Sequence, residues 1–519
     1  MKNPYSHYYY LGAGCIFLVL YWLLGYEGIA FEDDVLYFQF GQSFYQGQQV
    51  QSKDYLSHRW GSYLFSGWIT SLLGPSYRLA TLINLVAYLG TLTIIWLVIP
   101  YRNLKKWGVI FFVTHLFALQ YLNKLFPDSL LIFWVLLIPV LSLYRHSEAP
   151  KTAIAMGLVM FLGFFTKESV SFLFIYPLIL MAFDMHFKKP LKFYFYFFPF
   201  AGILMAGYFL YYWWNFDSPF YHIMTLQESY HLLSHSYAES GWKAILSRLT
   251  YQPFIHLTEN YLWVLVMLAL PSWYLGMKFH KPIHLEFAIA NTLLLAGFWF
   301  MTTSLHHYNP MYLQPRHMII MVAPLSVAIA YGVPSWLQNE IWRRNLAILM
   351  FGGSLIALSQ AWWVMAGMLA LISALIFKLY GKKLWPALAG ILLLAGILFP
   401  FQEITSKNYS HFYRHFVEEN KKASKSKIPL FTNDFVYRSR EVLAVNPVGT
   451  HYLHSIGHFD LMEEIPDQLR LMVYHRQIHQ YPHEDQLLEE FQTWLTRNGY
   501  HKIGESEDDW VGIYLYGRF

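Results

Sequence analysis

The chain has 519 residues, of which 56% are hydrophobic and only 13% are charged, and its mean hydropathy is +0.30. Soluble globular chains carry about 25% charged residues, so this composition excludes a soluble enzyme and predicts a polytopic membrane protein. The net charge of +5 says little by itself, and nothing indicates nucleic acid as a partner. The single cysteine, Cys15, allows no intramolecular disulfide.

Thirteen apolar segments approach the roughly 17–25 residues that a bilayer-crossing helix needs. They fall near residues 10–28, 78–100, 107–124, 129–144, 152–165, 169–183, 193–213, 261–277, 285–303, 317–335, 345–360, 361–378 and 384–400. Several are short or adjacent, so the pattern allows twelve to fourteen spans. The first segment lacks a small-residue cleavage site and is predicted to be retained. The shorter stretch Tyr63–Leu73 is predicted to be interfacial or re-entrant.

The distribution of basic residues predicts the orientation of these spans. With the N-terminus inside, the short inner segments hold twice as many Lys and Arg residues as the longer outer connections. An odd number of spans then places the C-terminus outside. We therefore expect residues 1–400 to form a transmembrane region with outer loops at 29–77 and 214–260, and residues 401–519 to form an extracytoplasmic soluble domain.

The tail is predicted to be a small α/β domain. Ile428–Phe431 is typical of a buried strand, Asp485–Gly499 has helical spacing of its apolar residues, and Trp510–Tyr516 alternates like a strand. A length of roughly 110 residues can support its own core. The tail resembles no domain that would indicate its role.

The first outer loop holds the acidic run Glu32-Asp33-Asp34 directly after the first span. One interpretation is that Asp33 and Asp34 cap a helix that begins at Val35. The functional interpretation makes one carboxylate a general base for an acceptor hydroxyl or amine, while the other positions the acceptor or a cation. Candidate substrate-binding side chains follow in the same loop: Tyr37, His58 and Arg59.

Two later outer turns carry further charged residues. Asp128 follows Pro127, where it can cap the helix beginning at Ser129 or take a direct role in the site. Lys167 and Glu168 separate two short apolar runs and can neutralise each other. Alternatively, Lys167 binds a phosphate as a point charge and Glu168 orients it or the substrate.

The last cluster precedes and opens a late span. A positive charge such as Arg316 at the start of a helix interacts unfavourably with the helix dipole, so its position needs another reason. Either the side chain snorkels to the membrane interface, or its planar guanidinium binds a phosphate through two hydrogen bonds. His306, His307 and His317 are weaker candidates for substrate binding. His306 and His307 could ligate a cation with a loop carboxylate, but their spacing does not demand it.

All four clusters fall on one side of the membrane in the predicted topology. Carboxylates beside Lys and Arg suit a reaction between a hydroxyl-bearing acceptor and a phosphate-activated donor. The acid activates the nucleophile, and the cations stabilise the departing phosphate.

These motifs resemble those of the GT-C glycosyltransferases, in particular the clan of protein O-mannosyltransferases and lipid A aminoarabinose transferases. Asp33-Asp34-x-x-Tyr37 resembles the acidic motif of the first outer loop in that family. Pro127–Leu131 resembles its second acidic position, Gly163–Lys167 its Gly-x-x-Thr-Lys stretch, and Pro315–His317 its late Arg-aromatic segment. The resemblance covers roughly residues 10–335.

The resemblance implies inverting transfer of a sugar from a polyprenyl-phosphate donor on the extracytoplasmic face. It implies Asp33 as the catalytic base, Asp34 and Asp128 as its supports, and Lys167 and Arg316 as contacts to the donor phosphate.

Two positions depart from the pattern of that clan. His317 stands where tyrosine is common, and His58-Arg59 replaces the Glu-Lys pair of the aminoarabinose transferases. The resemblance therefore does not extend to aminoarabinose specificity or to the metal site of those enzymes.

The sequence thus predicts a mainly α, polytopic glycosyltransferase of the bacterial inner membrane. The expected donor is an undecaprenyl-phosphate-linked hexose or pentose, and the expected acceptor is a cell-envelope glycan, lipid or protein. No cofactor is demanded, although a divalent cation is compatible with the acidic loop.

The first alternative is a transporter or flippase of lipid-linked saccharides. Such a protein should carry ionisable groups at mid-membrane depth and often shows inverted repeats, whereas here the charges lie at the outer boundary and no repeat is visible. A non-catalytic envelope scaffold is the third interpretation.

Overall fold

Helices make up most of the computed structural model, which describes residues 8–31, 33–48, 54–228, 240–302, 308–378, 383–443, 447–461, 465–478, 481 and 483–518. The α-helices are Tyr8–Leu24, Asp33–Tyr45, Trp60–Leu73, Tyr77–Ala80, Leu82–Val98, Arg102–Val113, Leu116–Leu122, Pro127–Ser142, Ala149–Thr166, Tyr176–His186, Lys192–Phe216, Tyr221–Gln227, Trp242–Thr250, Gln252–Glu259, Leu262–Phe279, Pro282–Phe300, Pro315–Met318, Val322–Gln338, Glu340–Ser359, Trp363–Lys378, Leu384–Lys407, Tyr409–Ser426, Asp434–Arg438, Arg440–Leu443, His475–Ile478 and His483–Arg497. The 3-10 helices are Tyr55–His58, Glu168–Leu173, Ile319–Met321, Pro447–Tyr452 and Ile456–Leu461.

Nine helical stretches in the described part of the chain are long and apolar enough to cross a membrane, or up to ten if a bent pair of helices is one span. Two shorter apolar helices, Tyr8–Leu24 and Trp363–Lys378, coincide with further predicted spans. The prediction of a mainly helical, multi-pass membrane protein is confirmed. These helices account for eleven of the thirteen predicted spans. The other two predicted segments, 107–124 and 129–144, contain the bent pair, and one of them is not a single helix.

That segment is 107–124, where the chain turns instead of continuing as one span. The helix Arg102–Val113 ends there, and the side chain of His115 accepts a hydrogen bond from the backbone N–H of Ala118 at 3.3 Å, which starts the next helix. Leu116–Leu122 then meets Pro127–Ser142 at an angle of 118°. The bend places the start of the second helix, and with it Asp128, near the acidic loop that follows Tyr8–Leu24.

The acidic helix Asp33–Tyr45 packs tightly against Trp60–Leu73, the helix that contains the predicted re-entrant stretch. A Cβ atom at Gly41 would lie 2.9 Å from the backbone oxygen of Tyr63 and 3.0 Å from the Cα of Gly67. Because no side chain fits between the two backbones, glycine at these positions allows the close approach. The close packing fixes the helix that begins with Asp33.

A five-stranded sheet lies near the C-terminus, with strands β1 (Leu430–Thr432), β2 (Leu453–Ser455), β3 (Gln468–Tyr474), β4 (Tyr500–Glu507) and β5 (Val511–Arg518). The strand order is β2-β1-β3-β5-β4, in which β1 is parallel to both neighbours and β5 is antiparallel to β3 and β4. Two predicted strands and the predicted helix of the tail correspond to β1, β5 and His483–Arg497. The prediction of a small α/β unit is confirmed.

The C-terminal sheet and its helices contact the loop that carries the acids. Phe31 is 1% exposed, and its ring centroid lies 5.0 Å from that of Phe435 and 6.1 Å from that of Phe412. The hydroxyl of Tyr481 donates to the backbone oxygen of Ala30 at 2.8 Å. Phe31 holds a φ of 59°, a conformation costly for a non-glycine residue, so these contacts must fix it.

Candidate active site

Asp33 and Arg316 form an ion pair between the start of the acidic helix and the start of a late span. The Nη1 atom of Arg316 lies 2.7 Å from Oδ2 of Asp33, and the guanidinium stacks 5.1 Å from the ring centroid of Phe126. The two side chains are 24% and 26% exposed, so a substrate can reach both. Arg316 thus contacts both a carboxylate and an aromatic ring.

Lys167 and Asp128 form a second pair that is almost fully buried. The Nζ atom of Lys167 lies 2.8 Å from each carboxylate oxygen of Asp128 and 2.7 Å from Nδ1 of His317. Three partners account for the three N–H groups of the ammonium. His317 follows Arg316 in the chain, so this buried cluster lies next to the exposed pair.

Glu168 pairs with Arg59 and not with its neighbour Lys167. The Arg59 guanidinium donates to both oxygens of Glu168, at 2.8 and 3.1 Å, and to the hydroxyl of Tyr37 at 3.1 Å. His222 Nε2 lies 2.9 Å from the same carboxylate. Lys167 has an extended backbone, with φ of −166° and ψ of 145°, and successive side chains of an extended segment point in opposite directions.

Asp34 is fully buried beside Asp33 and holds the loop together. One of its oxygens accepts a hydrogen bond from the backbone N–H of Ala30 at 2.7 Å and another from the hydroxyl of Tyr77. Burial raises the pKa of Asp34 to about 6, although the hydrogen bonds from Tyr77 and Ala30 favour the charged form. Asp34 therefore fixes the loop backbone and contacts no open surface.

Buried polar atoms at this centre that have no hydrogen-bond partner among the described residues include Asp34 Oδ1, His58 Nε2 and Arg316 Nε. His58 lies in an aromatic box, with ring centroids of Tyr212, Tyr221 and His222 at 5.3 to 5.5 Å. Burial lowers the pKa of His58 to about 4, so the ring is neutral at physiological pH. Buried polar atoms usually find partners, so unpaired ones here are consistent with a polar ligand site.

The structure thus joins the sequence-distant clusters into one network. Asp33 contacts Arg316, Arg59 contacts Glu168, and Lys167 contacts Asp128 and His317. Tyr37 joins through Arg59, and His58 packs on His222, which contacts Glu168. Asp34 instead bonds to Tyr77 and Ala30. Glu32, His306 and His307 lie outside the described residues.

Sequence reasoning missed several members of this region. Glu27 is buried between Lys124 and Lys407, whose Nζ lies 3.1 Å from one of its oxygens. Burial opposes ionisation of Glu27, but the two lysines outweigh it and lower the pKa to about 2. His222 was also missed because it lies in an outer loop without a motif. An acid inside the predicted apolar segment 10–28, as Glu27 is, was the available signal for the first of these.

Two groups of His, Asp and Glu side chains in the described part of the chain are close enough to share a metal ion, and both lie in the C-terminal domain. They are His411, His415 and Asp508, and Asp434, His483 and Glu484. Around Asp33 and Asp128 the nearest charged partners are cations, which suits a phosphate better than a metal ion.

No family model and no curated protein matches the chain. Among solved structures, it is similar to the crystal structure of ArnT from Cupriavidus metallidurans bound to undecaprenyl phosphate, with a TM-score of 0.56, 11% identity, and coverage of 99% of this chain and 98% of that one. The apo-state crystal structure of ArnT gives a TM-score of 0.55 at 11% identity, with 97% and 98% covered. The chain therefore shares the fold of ArnT over nearly its whole length, which confirms the fold predicted from its motifs.

Proposed function

We propose that the chain is a membrane glycosyltransferase that moves a sugar from a polyprenyl-phosphate-linked donor to a cell-envelope acceptor. The observation that carries this proposal is the partly exposed Asp33–Arg316 pair. It joins a carboxylate able to accept a proton to a guanidinium able to bind a phosphate. The fold shared with a protein bound to undecaprenyl phosphate supports a polyprenyl phosphate as the carrier.

The reaction is a single inverting displacement at the anomeric carbon. The acceptor hydroxyl or amine attacks that carbon from the face opposite the phosphate, and Asp33 accepts the proton that the nucleophile loses. The bond between the anomeric carbon and the phosphate oxygen breaks, and both electrons leave with polyprenyl phosphate. Cationic groups stabilise the negative charge that develops on this leaving group.

Arg316 is the principal contact to the donor phosphate. It is partly exposed and its Nε has no hydrogen-bond partner among the described residues, whereas Lys167 already has three partners. A phosphate that binds Arg316 competes with Asp33 for the guanidinium and thereby frees the carboxylate to act as a base. Lys167 adds its charge nearby and contacts the phosphate only if it gives up His317.

The buried acids act as positioning residues. Asp34 ties the loop to Tyr77 and Ala30, and Asp128 holds the Lys167 ammonium. Arg59, Glu168 and Tyr37 form the wall of the same site beside His58, and these side chains bind the sugar or the acceptor.

The site faces the extracytoplasmic side of a bacterial inner membrane, with the N-terminus inside. Residues 1–400 form the catalytic transmembrane region, and residues 401–519 form the extracytoplasmic domain. The contacts of Phe31 and Ala30 with the C-terminal domain support this arrangement, because they require the acidic loop and the tail to lie on the same side.

Purified full-length protein in lipid nanodiscs, given a panel of polyprenyl-phosphate sugars and envelope acceptors, tests the proposal. We expect release of polyprenyl phosphate without any membrane gradient, and loss of that release in Arg316→Gln. Arg344→Gln is the matched control, because Arg344 lies in an exposed ion pair with Glu340. Movement of intact donor without bond cleavage would favour a flippase, and turnover unaffected by Arg316→Gln would refute the proposed site.

A further inference from the structure

We propose that the C-terminal domain holds a second site, separate from the acidic loop, in which His411, His415 and Asp508 bind one divalent transition-metal ion of the zinc class. The three residues come from a helix and from a distant strand connection. The inference is independent of the transfer reaction proposed above.

The two histidines lie one turn apart on the helix Tyr409–Ser426, so both rings project from the same face. Their ring centroids are 4.5 Å apart. Asp508 lies in the connection between β4 and β5, and its Oδ2 is 2.6 Å from Nε2 of His411. One ligand atom from each residue lies within 4.8 Å of the other two.

The backbone of the hairpin holds the carboxylate of Asp508 in place. Its Oδ1 accepts hydrogen bonds from the N–H groups of Trp510 at 2.8 Å and Val511 at 2.9 Å, which leaves Oδ2 directed at His411. Metal-binding carboxylates typically have such orienting partners.

The donor set selects the class of ion. Two imidazoles and one carboxylate suit zinc and its neighbours in the first transition row, whereas calcium and magnesium prefer oxygen ligands. Ligand atoms on one tetrahedral zinc ion lie about 3.3–3.5 Å apart, so the two rings must rotate toward the carboxylate to close the site. Asp508 is 39% exposed, and water can complete the coordination.

A simple ion pair between His411 and Asp508 explains less of this geometry than a metal ion shared by all three side chains does. It uses His411 and Asp508 and gives no reason for His415 to approach the same carboxylate. In the other candidate group, Glu484 already accepts hydrogen bonds from Asn433 and from two backbone N–H groups, so its oxygens are engaged. The His411 group is therefore the better metal site.

The position of the site gives the ion a structural role. The helix with the histidines follows Leu384–Lys407, the last long apolar helix, after a left-handed residue at Asn408. The hairpin with Asp508 forms the far edge of the sheet. A bound ion would tie this edge to the helix that connects the sheet to the transmembrane region.

The test is metal binding by the full-length protein after chelation, with cobalt as a spectroscopic probe and zinc as a competitor. We expect one ion per chain in the wild type and at least about 100-fold weaker binding in His415→Ala and Asp508→Asn, because removal of a direct ligand should cost no less than loss of an orienting partner. His451→Ala, at an exposed histidine of the same domain, should bind like the wild type.

A second measurement separates metal binding from misfolding. Zinc should raise the unfolding temperature of the wild type and of His451→Ala but not of His415→Ala, while all three unfold at the same temperature in chelator. Absence of cobalt binding below millimolar concentration in the wild type would overturn the proposal. So would wild-type affinity in both ligand variants.

Discussion

Asp33 and Arg316 lie 283 residues apart in the chain, and their side chains meet at 2.7 Å. The pair connects the helix that follows the first span with a helix that opens a late span. It is more exposed than the Lys167–Asp128 pair beside it, in which both side chains are at most 3% exposed. The exposed pair is therefore open to substrate, and the buried pair supports it.

Single and double variants of the buried Lys167–Asp128 pair separate its role in stability from its role in transfer. Asp128→Ala leaves the Lys167 ammonium buried without its counter-ion, which should cost roughly 3–5 kcal/mol of stability. The double variant Asp128→Leu with Lys167→Met replaces the pair by apolar side chains and should recover most of the unfolding temperature. Transfer activity should stay low in the double variant, because the positive charge near the donor phosphate is gone. Recovery of activity together with stability would show that Lys167 is purely structural.

The raised pKa of Asp34 predicts a pH dependence of stability. A carboxyl group whose pKa is higher in the folded state stabilises the fold below its unfolded pKa of about 4, and this contribution is lost as the pH rises through about 6. Between pH 4 and 6 the wild type should therefore lose up to about 3 kcal/mol relative to Asp34→Asn, whose amide does not titrate. Thermal unfolding at a series of pH values measures this difference.

Asp485→Asn is the control for that series, because Asp485 is exposed on a helix of the C-terminal domain. Its difference from the wild type should change little over the same range. A constant difference between Asp34→Asn and the wild type from pH 4 to 7 would contradict the assignment of the raised pKa to Asp34.

Phe31 should couple the C-terminal domain to the acidic loop. Phe31→Ala removes a buried ring that packs on Phe435 and Phe412, at a cost of roughly 3–5 kcal/mol, and should make the chain after Lys407 more sensitive to protease. Transfer should fall with it, because the acidic helix begins two residues later. Phe44→Ala, on an exposed position of the same helix, should change neither property. An unchanged protease pattern in Phe31→Ala would refute the coupling.

The proposed topology can be checked by cysteine labelling from outside the membrane. In a Cys15→Ser background, an impermeant maleimide should label Glu489→Cys in the exposed part of the C-terminal domain. It should label Lys151→Cys, on a predicted inner segment, only after the membrane is opened. The reverse pattern would place the acidic loop on the cytoplasmic side.

The proximity of these charged residues could be predicted because the sequence places each of them at the edge of an apolar segment. Sidedness then follows from counting the spans, and Asp33, Asp128, Lys167 and Arg316 fall on one side. The partners could not be predicted in the same way. From the sequence, the adjacent residues Lys167 and Glu168 could form an ion pair with each other. Because the backbone at Lys167 is extended, Lys167 instead pairs with Asp128, and Glu168 pairs with Arg59.

The number of spans was harder to predict than their presence. Segment 107–124 is mostly apolar, and average hydropathy does not record that His115 starts a new helix. The 118° bend follows that short helix, between Leu122 and Pro127. Such local stereochemistry has no signature in average hydropathy, yet it places Asp128 in the site.

The most direct test of the account is Asp33→Asn in full-length protein, with donor binding and sugar transfer measured on the same preparation. We expect transfer to fall at least about 100-fold, as general-base catalysis contributes 10²–10⁴-fold. Polyprenyl-phosphate binding should be retained or tightened, because Arg316 no longer pairs with a carboxylate. Asp485→Asn should match the wild type in both measurements. Transfer within a few-fold of the wild type in Asp33→Asn would contradict the central claim.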